Sequence, residues 1–162
     1  MDNGILIGYE DKTIRPDRRI TRIEAITLIS KAVGLEPSDS DDIKLEFLDD
    51  KEIPKWSKGY LKAALDKGIA VGYPDNSFKP DRPITRVEMV VMVNKAFDLG
   101  KSPNRIEKFK DFNEIPVWAN EYISKAFELK LITGYQDSFL RPNQEITRAE
   151  AFAIIANSLS LK

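Results

Sequence analysis

The tetrad Thr-Arg-x-Glu occurs three times in this chain, at residues 21–24, 85–88 and 147–150, and an apolar run of helical length follows each copy. Thr and Glu at this spacing form a capping box, in which the Thr side chain accepts from the N3 amide and the Glu side chain accepts from the N-cap amide. The tetrad therefore predicts three helices that begin at the same point of a repeated unit.

The sequence before each tetrad repeats as well. Gly-Tyr-x-Asp, followed by a basic residue and a proline, precedes every tetrad without gaps, and the copies are offset by 64 and then 62 residues. The Gly, Asp and Pro content predicts a tight loop that reverses the chain before the capped helix. We therefore divide the chain into three units: unit 1 (1–35), unit 2 (36–99) and unit 3 (100–162).

Two kinds of helix are expected in each full unit. The run after the tetrad is apolar nearly all round, as in residues 89–93 and 151–156, which indicates a helix that is buried on all sides. The motif Ile-Pro-x-Trp at residues 53–56 and 115–118 opens an amphipathic helix. The sequence thus predicts an all-α fold of helix-loop-helix units, with three buried helices in a central bundle and the amphipathic helices outside it.

Unit 1 lacks the segment that supplies the outer helix and the tryptophan of the other units. We expect the central helix of unit 1 to have an uncovered flank. Either another copy of the chain covers this flank by self-association, or the first unit is loosely packed. The residues at the N-terminus do not form a signal peptide, so a secreted protein would contain this sequence as a fragment.

Composition excludes several classes of function. The chain has no Cys and no His, which removes thiol and histidine catalysis and most zinc sites. The net charge of −1 argues against binding to nucleic acid, and no segment is long and apolar enough for insertion into a membrane.

The acidic stretch 36–43 lacks the glycine and glutamate of an EF-hand loop, so we expect no metal and no cofactor. No two carboxylates stand out as a catalytic pair, so we expect no enzymatic activity.

The arginine of the tetrad has no such structural explanation. It occupies the first helical position, where the helix dipole disfavours a cation. We expect its side chain to lie outside the core and to bind an anion, together with free amides of the helix N-terminus. The alternative is a salt bridge to an Asp of the next unit, although exposed pairs contribute only about 0–1 kcal/mol.

The units resemble the S-layer homology domain. The resemblance rests on Phe-x-Asp at 47–49 and 109–111, on the two tryptophans, and on the Gly-Tyr and Thr-Arg-x-Glu motifs. It implies a pseudo-threefold arrangement of the units around the central bundle. It also implies an extracellular location at the bacterial cell wall, where the domain anchors surface proteins non-covalently to secondary cell wall polymer, often a pyruvylated and acidic glycan.

The resemblance also implies the residues of the binding grooves between units. One groove would combine Arg22 with Asp49 and Trp56, and a second would combine Arg86 with Asp111 and Trp118. Arg148 would face the missing start of unit 1. Two glycines at the helix-to-loop turn would let the backbone approach the ligand, namely Gly72 and Gly134.

Other interpretations remain open at this point. The tryptophans could belong to the core, because an aromatic on the apolar side of a helix is more often buried than exposed. The binding partner could be peptidoglycan instead of the secondary cell wall polymer. A helical-repeat scaffold for protein–protein interaction is the alternative function, and it predicts a large exposed apolar patch.

Overall fold

A computed structural model describes residues 11–39 and 43–161. The described part of the chain is helical and contains no strand, which confirms the all-α prediction. Three 3-10 turns, Asp50–Glu52, Phe112–Glu114 and Val117–Ala119, accompany five α-helices. The α-helices are α1 (Arg22–Ala32), α2 (Lys55–Asp66), α3 (Arg86–Ala96), α4 (Asn120–Glu128) and α5 (Arg148–Leu159).

The three helices that follow the tetrads form the centre of the molecule. Each of α1, α3 and α5 packs against the other two, and together they bury most of their side chains. Ile26, Met89 and Ile155 lie fully inside this core. Because their sequences are apolar all round, these helices can be stable only where other elements surround them.

The outer helices cover the central helix of the preceding unit. Helix α2 of unit 2 packs on α1 of unit 1, and α4 of unit 3 packs on α3 of unit 2. The prediction that unit 1 has the uncovered central helix is therefore wrong. Among the described residues it is α5 that has no outer helix against it.

One face of α5 is exposed in the described structure. Ala149, Ala153 and Ala156 are exposed on it. The matching positions of α1 and α3 are buried, and they are Ile23, Thr27, Ser30, Val87, Val91 and Asn94. Among the described residues, the central helix without an outer helix is therefore that of unit 3, and not that of unit 1 as the sequence pattern suggested.

A closed set of backbone hydrogen bonds joins the three units just before their tetrads. The Ile20 amide donates to the Ile146 carbonyl (3.2 Å), Ile146 donates to Ile84 (3.1 Å), and Ile84 donates to Ile20 (3.0 Å). All three isoleucines are fully buried. This ring fixes the starts of α1, α3 and α5 relative to one another.

The described residues contain no helix that is long and apolar enough to cross a bilayer. They also contain no cluster of three or more metal-ligating side chains of the His, Cys, Asp or Glu type. The Gly-Tyr motif of unit 1 and part of the acidic stretch 36–43 lie outside the described residues.

Candidate ligand-binding grooves

The capping boxes predicted for the three tetrads are confirmed. Thr21, Thr85 and Thr147 each accept a hydrogen bond from the N3 amide, and the Glu of each tetrad accepts from the N-cap amide. Each central helix therefore begins at a fixed residue, and the arginine that follows the Thr is held at the first helical position.

The arginines of the tetrads are buried, so the expectation that they lie outside the core is wrong. Arg22, Arg86 and Arg148 are 6%, 9% and 6% exposed. Arg22 Nη2 donates to the Val71 carbonyl (2.6 Å), and Arg86 Nη2 donates to the corresponding Thr133 carbonyl (3.0 Å). Backbone carbonyls of the next unit thus anchor the guanidinium groups.

Each arginine also approaches the capping glutamate of the next unit, and the contacts close into a ring. Three distances describe this ring: Arg22 Nη1 to Glu88 Oε1, 3.7 Å, Arg86 Nη1 to Glu150 Oε1, 4.0 Å, and Arg148 Nη1 to Glu24 Oε1, 4.0 Å. The carboxylate partner is therefore the glutamate of a tetrad and not the Asp that the sequence suggested. Arg148 does have a partner in unit 1, because its Nε also donates to the Ile14 carbonyl (3.0 Å).

The amides at the helix N-termini are not available to a ligand. The Arg22 and Ile23 amides donate to the carbonyls of Arg82 and Pro80 at 2.9 and 3.0 Å. The same pair of bonds recurs at the starts of α3 and α5. The expectation of free amides is thus wrong, because the loop of the neighbouring unit accepts these donors.

The aspartates of the Phe-x-Asp motifs hold loops in place. Asp49 accepts from the amides of Phe78 and Lys79 at 2.8 and 2.7 Å. Asp111 is buried and accepts from the equivalent amides of Leu140 and Arg141 at 2.8 and 2.7 Å. Since both carboxylate oxygens carry these bonds, each aspartate stabilises the loop of its own unit.

The glycines before the loop tyrosines make room for phenylalanine rings. A Cβ on Gly72 would lie 2.4 Å from Phe47 Cε1, and a Cβ on Gly134 would lie 2.0 Å from Phe109 Cε1. Neither glycine has a positive φ. The need for glycine at these two positions therefore comes from side-chain packing within the unit.

The two tryptophans are exposed, so they do not belong to the core. Trp56 is 61% exposed and Trp118 is 58% exposed. Trp56 lies in the first turn of α2, and Trp118 lies in the 3-10 turn just before α4. A tyrosine follows each of them four residues later, Tyr60 and Tyr122. Exposed tryptophans are unusual and indicate a surface that contacts a ligand or a partner.

One cavity brings several candidate residues together. Its volume is about 630 Å³, and it lies between the segment 69–73, α3 and the start of α4, with Arg22 reaching in from unit 1. Of the predicted site residues, Arg22, Gly72 and Trp118 line it. The other lining side chains that bear charge or an aromatic ring are Tyr73, Glu88, Lys95, Lys101 and Tyr122.

Electrostatics at this cavity favour a carboxylate that stays ionised beside its cations. Burial raises the pKa of Glu88, but hydrogen bonds from the Thr85 amide and from Arg82 outweigh burial, so the pKa is lowered overall. Burial lowers the pKa of Arg22, and Glu88 partly offsets that shift. Burial also raises the pKa of Tyr73, whose hydroxyl donates to Glu88 Oε1 (3.0 Å).

A family model described as the S-layer homology domain matches residues 2–26, 46–90 and 108–152, which together make up most of the chain. The chain belongs to the S-layer homology domain family. The earlier resemblance is thereby confirmed, and the family locates the chain at the cell surface or cell wall.

Curated relatives agree with this assignment. The chain is 33% identical over 162 residues to cell surface glycoprotein 1 of Acetivibrio thermocellus, covering 95% of the chain and 7% of the relative. It is 33% identical over 157 residues to the cellulosome-anchoring protein of the same organism, covering 95% and 35%. An endoglucanase from a Bacillus species is 26% identical over 162 residues, covering 98% and 17%. The chain thus spans a minor part of the length of each of these relatives. The family, together with the cellulosome-anchoring relative, supports a role in cell-wall anchoring.

The S-layer homology units combine their site residues differently from the sequence prediction. Arg22 shares its cavity with Trp118 of unit 3 and not with Trp56 of unit 2. The reason is that the outer helix of unit 3 covers α3 and so reaches the groove that Arg22 enters. Asp49 does not line this cavity, and Asp111 does not line it either.

Because the units repeat, the surroundings of Arg148 and Arg86 can be compared with the groove that Arg22 enters. Arg148 contacts Glu24 of α1, and α1 carries α2 with Trp56, so the groove of Arg148 corresponds to the Arg22 groove. The segment of unit 1 that would form its floor lies outside the described residues. Arg86 contacts Glu150 of α5, and α5 has no outer helix among the described residues, so this groove has no tryptophan wall.

Sequence reasoning missed the second half of the cavity. Lys95 and Tyr122 were not predicted, yet the sequence contains a signal for them. Lys31 and Lys95 stand at the same offset from their tetrads, and Lys31 Nζ lies 5.3 Å from the ring centre of Tyr60 as Lys95 Nζ lies 6.0 Å from that of Tyr122. This Lys–Tyr pair, with Lys on a central helix and Tyr on the outer helix that covers it, recurs in the sequence and could have indicated the second half of the cavity.

Proposed function

We propose that this segment anchors a surface protein non-covalently by binding an acidic glycan of the secondary cell wall polymer in its inter-unit grooves, with a pyruvate ketal as the acidic group. The observation that carries the proposal is the cavity in which buried Arg22, exposed Trp118 and Gly72 meet. Its volume of about 630 Å³ falls within the usual range of about 300–1,000 Å³ for small-ligand sites.

The chemistry of the lining suits a sugar that carries a carboxylate. A guanidinium binds carboxylate with good geometry, and Arg22 Nε is buried without a hydrogen-bond partner within the described structure. Trp118 and Tyr122 offer flat apolar faces to a sugar ring. Lys95 and Lys101 supply further cations at the same cavity.

The pseudo-threefold arrangement is part of this proposal. The closed ring of isoleucine hydrogen bonds and the closed ring of Arg–Glu contacts support it, because both relate each unit to the next in the same way. Grooves between units then recur around the bundle, and we propose Arg22, Arg148, Trp56 and Trp118 as their ligand contacts. For Asp49, Asp111, Gly72 and Gly134 we propose a supporting role through loop position and packing.

Binding to wall sacculi tests the proposal. The protein should bind sacculi, and chemical removal of the secondary polymer should abolish retention. Trp118→Ala should weaken binding by about tenfold, because one stacked aromatic contributes on the order of 1 kcal/mol or more. Val117→Ala is a matched control at an adjacent residue that is 88% exposed, and we expect unchanged binding. Full retention on stripped sacculi would instead assign the partner to peptidoglycan.

A protein–protein scaffold is the second candidate, because Val117 and Trp118 are adjacent exposed apolar residues. The same experiment separates the two functions. If Val117→Ala weakens binding as much as Trp118→Ala, the contact is a general apolar surface and the glycan proposal fails.

We also propose that a second copy of the chain covers the exposed face of α5. The alanines at 149, 153 and 156 allow close approach of another helix, and the matching faces of α1 and α3 are both covered by helices. Sedimentation should show a dimer that Ala153→Glu dissociates, with Lys130→Glu as a charge-changing control. A monomer at all concentrations would refute this part of the proposal.

A further inference from the structure

Along α3, the wall of the cavity that Arg22 enters is polar at both ends and apolar in between. Glu88 lies near the start of the helix and Lys95 lies in its last turn. Val91 and Met92 line the cavity between them, and both side chains are buried. Seven residues of α-helix span about 10 Å, so the two polar ends are about two helical turns apart.

The end of the cavity near Glu88 has the cation on which the proposed function depends. Arg22 Nη1 lies 3.7 Å from Glu88 Oε1, and Arg22 Nη2 donates to the Val71 carbonyl at 2.6 Å. The Nε of the same guanidinium is buried without a hydrogen-bond partner within the described structure. In the proposed function, this end holds the carboxylate of the pyruvate ketal.

The other end of the cavity has two lysines and a tyrosine. Lys95 Nζ lies 6.0 Å from the ring centre of Tyr122, and Lys101 Nζ lies 4.8 Å from it. Lys101 Nζ pairs with Glu121 Oε2 at 3.2 Å. In the part of the chain that the structure describes, no carboxylate lies within 4.0 Å of the Lys95 ammonium group. The two lysines and Glu121 together therefore have one net positive charge.

The position of Lys95 has a structural explanation that is incomplete. A lysine in the last turn of a helix interacts favourably with the helix dipole. This interaction does not explain why Lys101, from the segment between units 2 and 3, contacts the same ring. The distance of 6.0 Å from Lys95 is also at the outer limit of about 6 Å for a cation–π contact, so the ring does not compensate its charge. Two lysines from separate segments at one aromatic wall indicate a place for an anion.

We propose that this groove binds two neighbouring sugars of the polymer that each have an acidic group, with the first acid at Arg22 and the second at Lys95. The second acid is a carboxylate or a phosphate, because a lysine ammonium is a point charge that accepts either. The sugar rings between the two acids face Trp118 and Tyr122. The inference rests on the proposed function and extends its ligand from one acidic sugar to a pair.

Tryptophan fluorescence can report on this groove alone. In a Trp56→Phe background, Trp118 is the one remaining tryptophan. Three disaccharide probes share an N-acetylmannosamine residue with a pyruvate ketal, and it is linked to glucose, to glucuronic acid or to glucose 6-phosphate. The ratio of affinities between an acidic probe and the glucose probe measures the effect of the second acid at constant ligand length.

An acidic second sugar should strengthen binding by about tenfold relative to glucose, and this ratio should shrink as salt is added. In Lys95→Gln the acidic probes and the glucose probe should bind alike, whereas Lys95→Arg should keep most of the ratio because the charge is retained. Lys67→Gln is the matched control, since Lys67 is an exposed lysine at the C-terminal end of α2 and does not line the cavity. It should leave the ratio unchanged.

Glu121→Gln tests the same charge without a change at Lys95. It removes the carboxylate that pairs with Lys101, so the ratio should rise above the wild-type value. If Lys95→Gln loses its helical circular dichroism, Glu121→Gln tests the inference by itself. An unchanged or smaller ratio in Glu121→Gln would contradict the inference.

The outcomes separate the inference from the proposed function. Wild-type protein that binds neither the probes nor the polymer would overturn both. Wild-type protein that binds all three probes equally would leave the glycan function standing and overturn the inference. A ratio that persists in Lys95→Gln would also overturn it, because the second acid would then bind elsewhere. An equal loss in Lys67→Gln would do the same, because the effect would then depend on overall charge. A gain with one acidic probe alone would support the inference and identify the second acid as a carboxylate or as a phosphate.

Discussion

The contact between Gly134 and Phe109 allows a quantitative prediction. In Gly134→Ala the new Cβ would lie 2.0 Å from Phe109 Cε1 and within 2.9 Å of two further ring atoms. Ordinary contact begins at 3.4 Å, so the ring must retreat by about 1.4 Å, the difference between these distances. The ring is 5% exposed and packs edge-on against Phe127 with 5.5 Å between ring centres, which restricts its movement on that side.

The expected cost follows from this confinement. Overpacking a core typically costs 1–3 kcal/mol, and a clash with a confined ring belongs at the upper end, about 3 kcal/mol. For a chain of this size the melting temperature should fall by about 6–12 °C. Thermal unfolding followed by circular dichroism at 222 nm measures it.

A double-mutant cycle checks the cause. Phe109→Ala alone should cost about 3–5 kcal/mol, and Gly134→Ala in that background should cost almost nothing more, because the ring is gone. The matched variant is Gly72→Ala, which should cost less, since the ring of Phe47 is only half-buried and can move. Additive costs in the cycle, or a larger loss for Gly72→Ala, would refute the packing explanation and restore a role in ligand approach.

Three further perturbations have expected outcomes. Thr85→Ala should lower the free energy of unfolding by about 1 kcal/mol through loss of the cap, measured by urea denaturation, and Thr85→Ser should restore most of it. Asp111→Ala should cost about 3 kcal/mol in the same assay, because two charge-assisted hydrogen bonds from loop amides are lost, and a cost below about 1 kcal/mol would contradict that role. The lowered pKa values of Glu88 and Glu150 mean that their contribution to stability is complete above their unfolded pKa of about 4.3 and is lost as the pH falls through the folded values. Unfolding free energy measured from pH 6 to pH 3 should therefore decline below about pH 4, and Glu88→Gln should flatten that decline.

Most of the secondary structure could be predicted from the sequence because its signals are local. A capping box needs only two residues that are three positions apart, and a short apolar run such as 89–93 indicates a buried helix without knowledge of its partner. The family could be recognised for the same reason, because its motifs are short and recur in each unit. The prediction of three equivalent helix starts was accurate for this reason.

The candidate site was harder, since its residues come from all three units. Arg22, Gly72 and Trp118 are far apart in the sequence and meet at one cavity. The prediction joined Arg22 to the next tryptophan along the chain, Trp56, because sequence order offers no other rule. The structure instead joins it to the tryptophan of the unit after that.

The sequence by itself determined where the central helices start, which residues cap them and which family the chain belongs to, because short-range hydrogen bonding and hydrophobic periodicity decide these properties. Only the tertiary structure decided that the tetrad arginines are buried, that Asp49 and Asp111 bind loop amides, and that α5 is the helix with an open face. The aspartate contacts depend on how the loop folds back within its own unit. The burial of the arginines and the open face of α5 depend on which unit covers which. That arrangement follows from packing between units and leaves no mark on the spacing of residues within one unit.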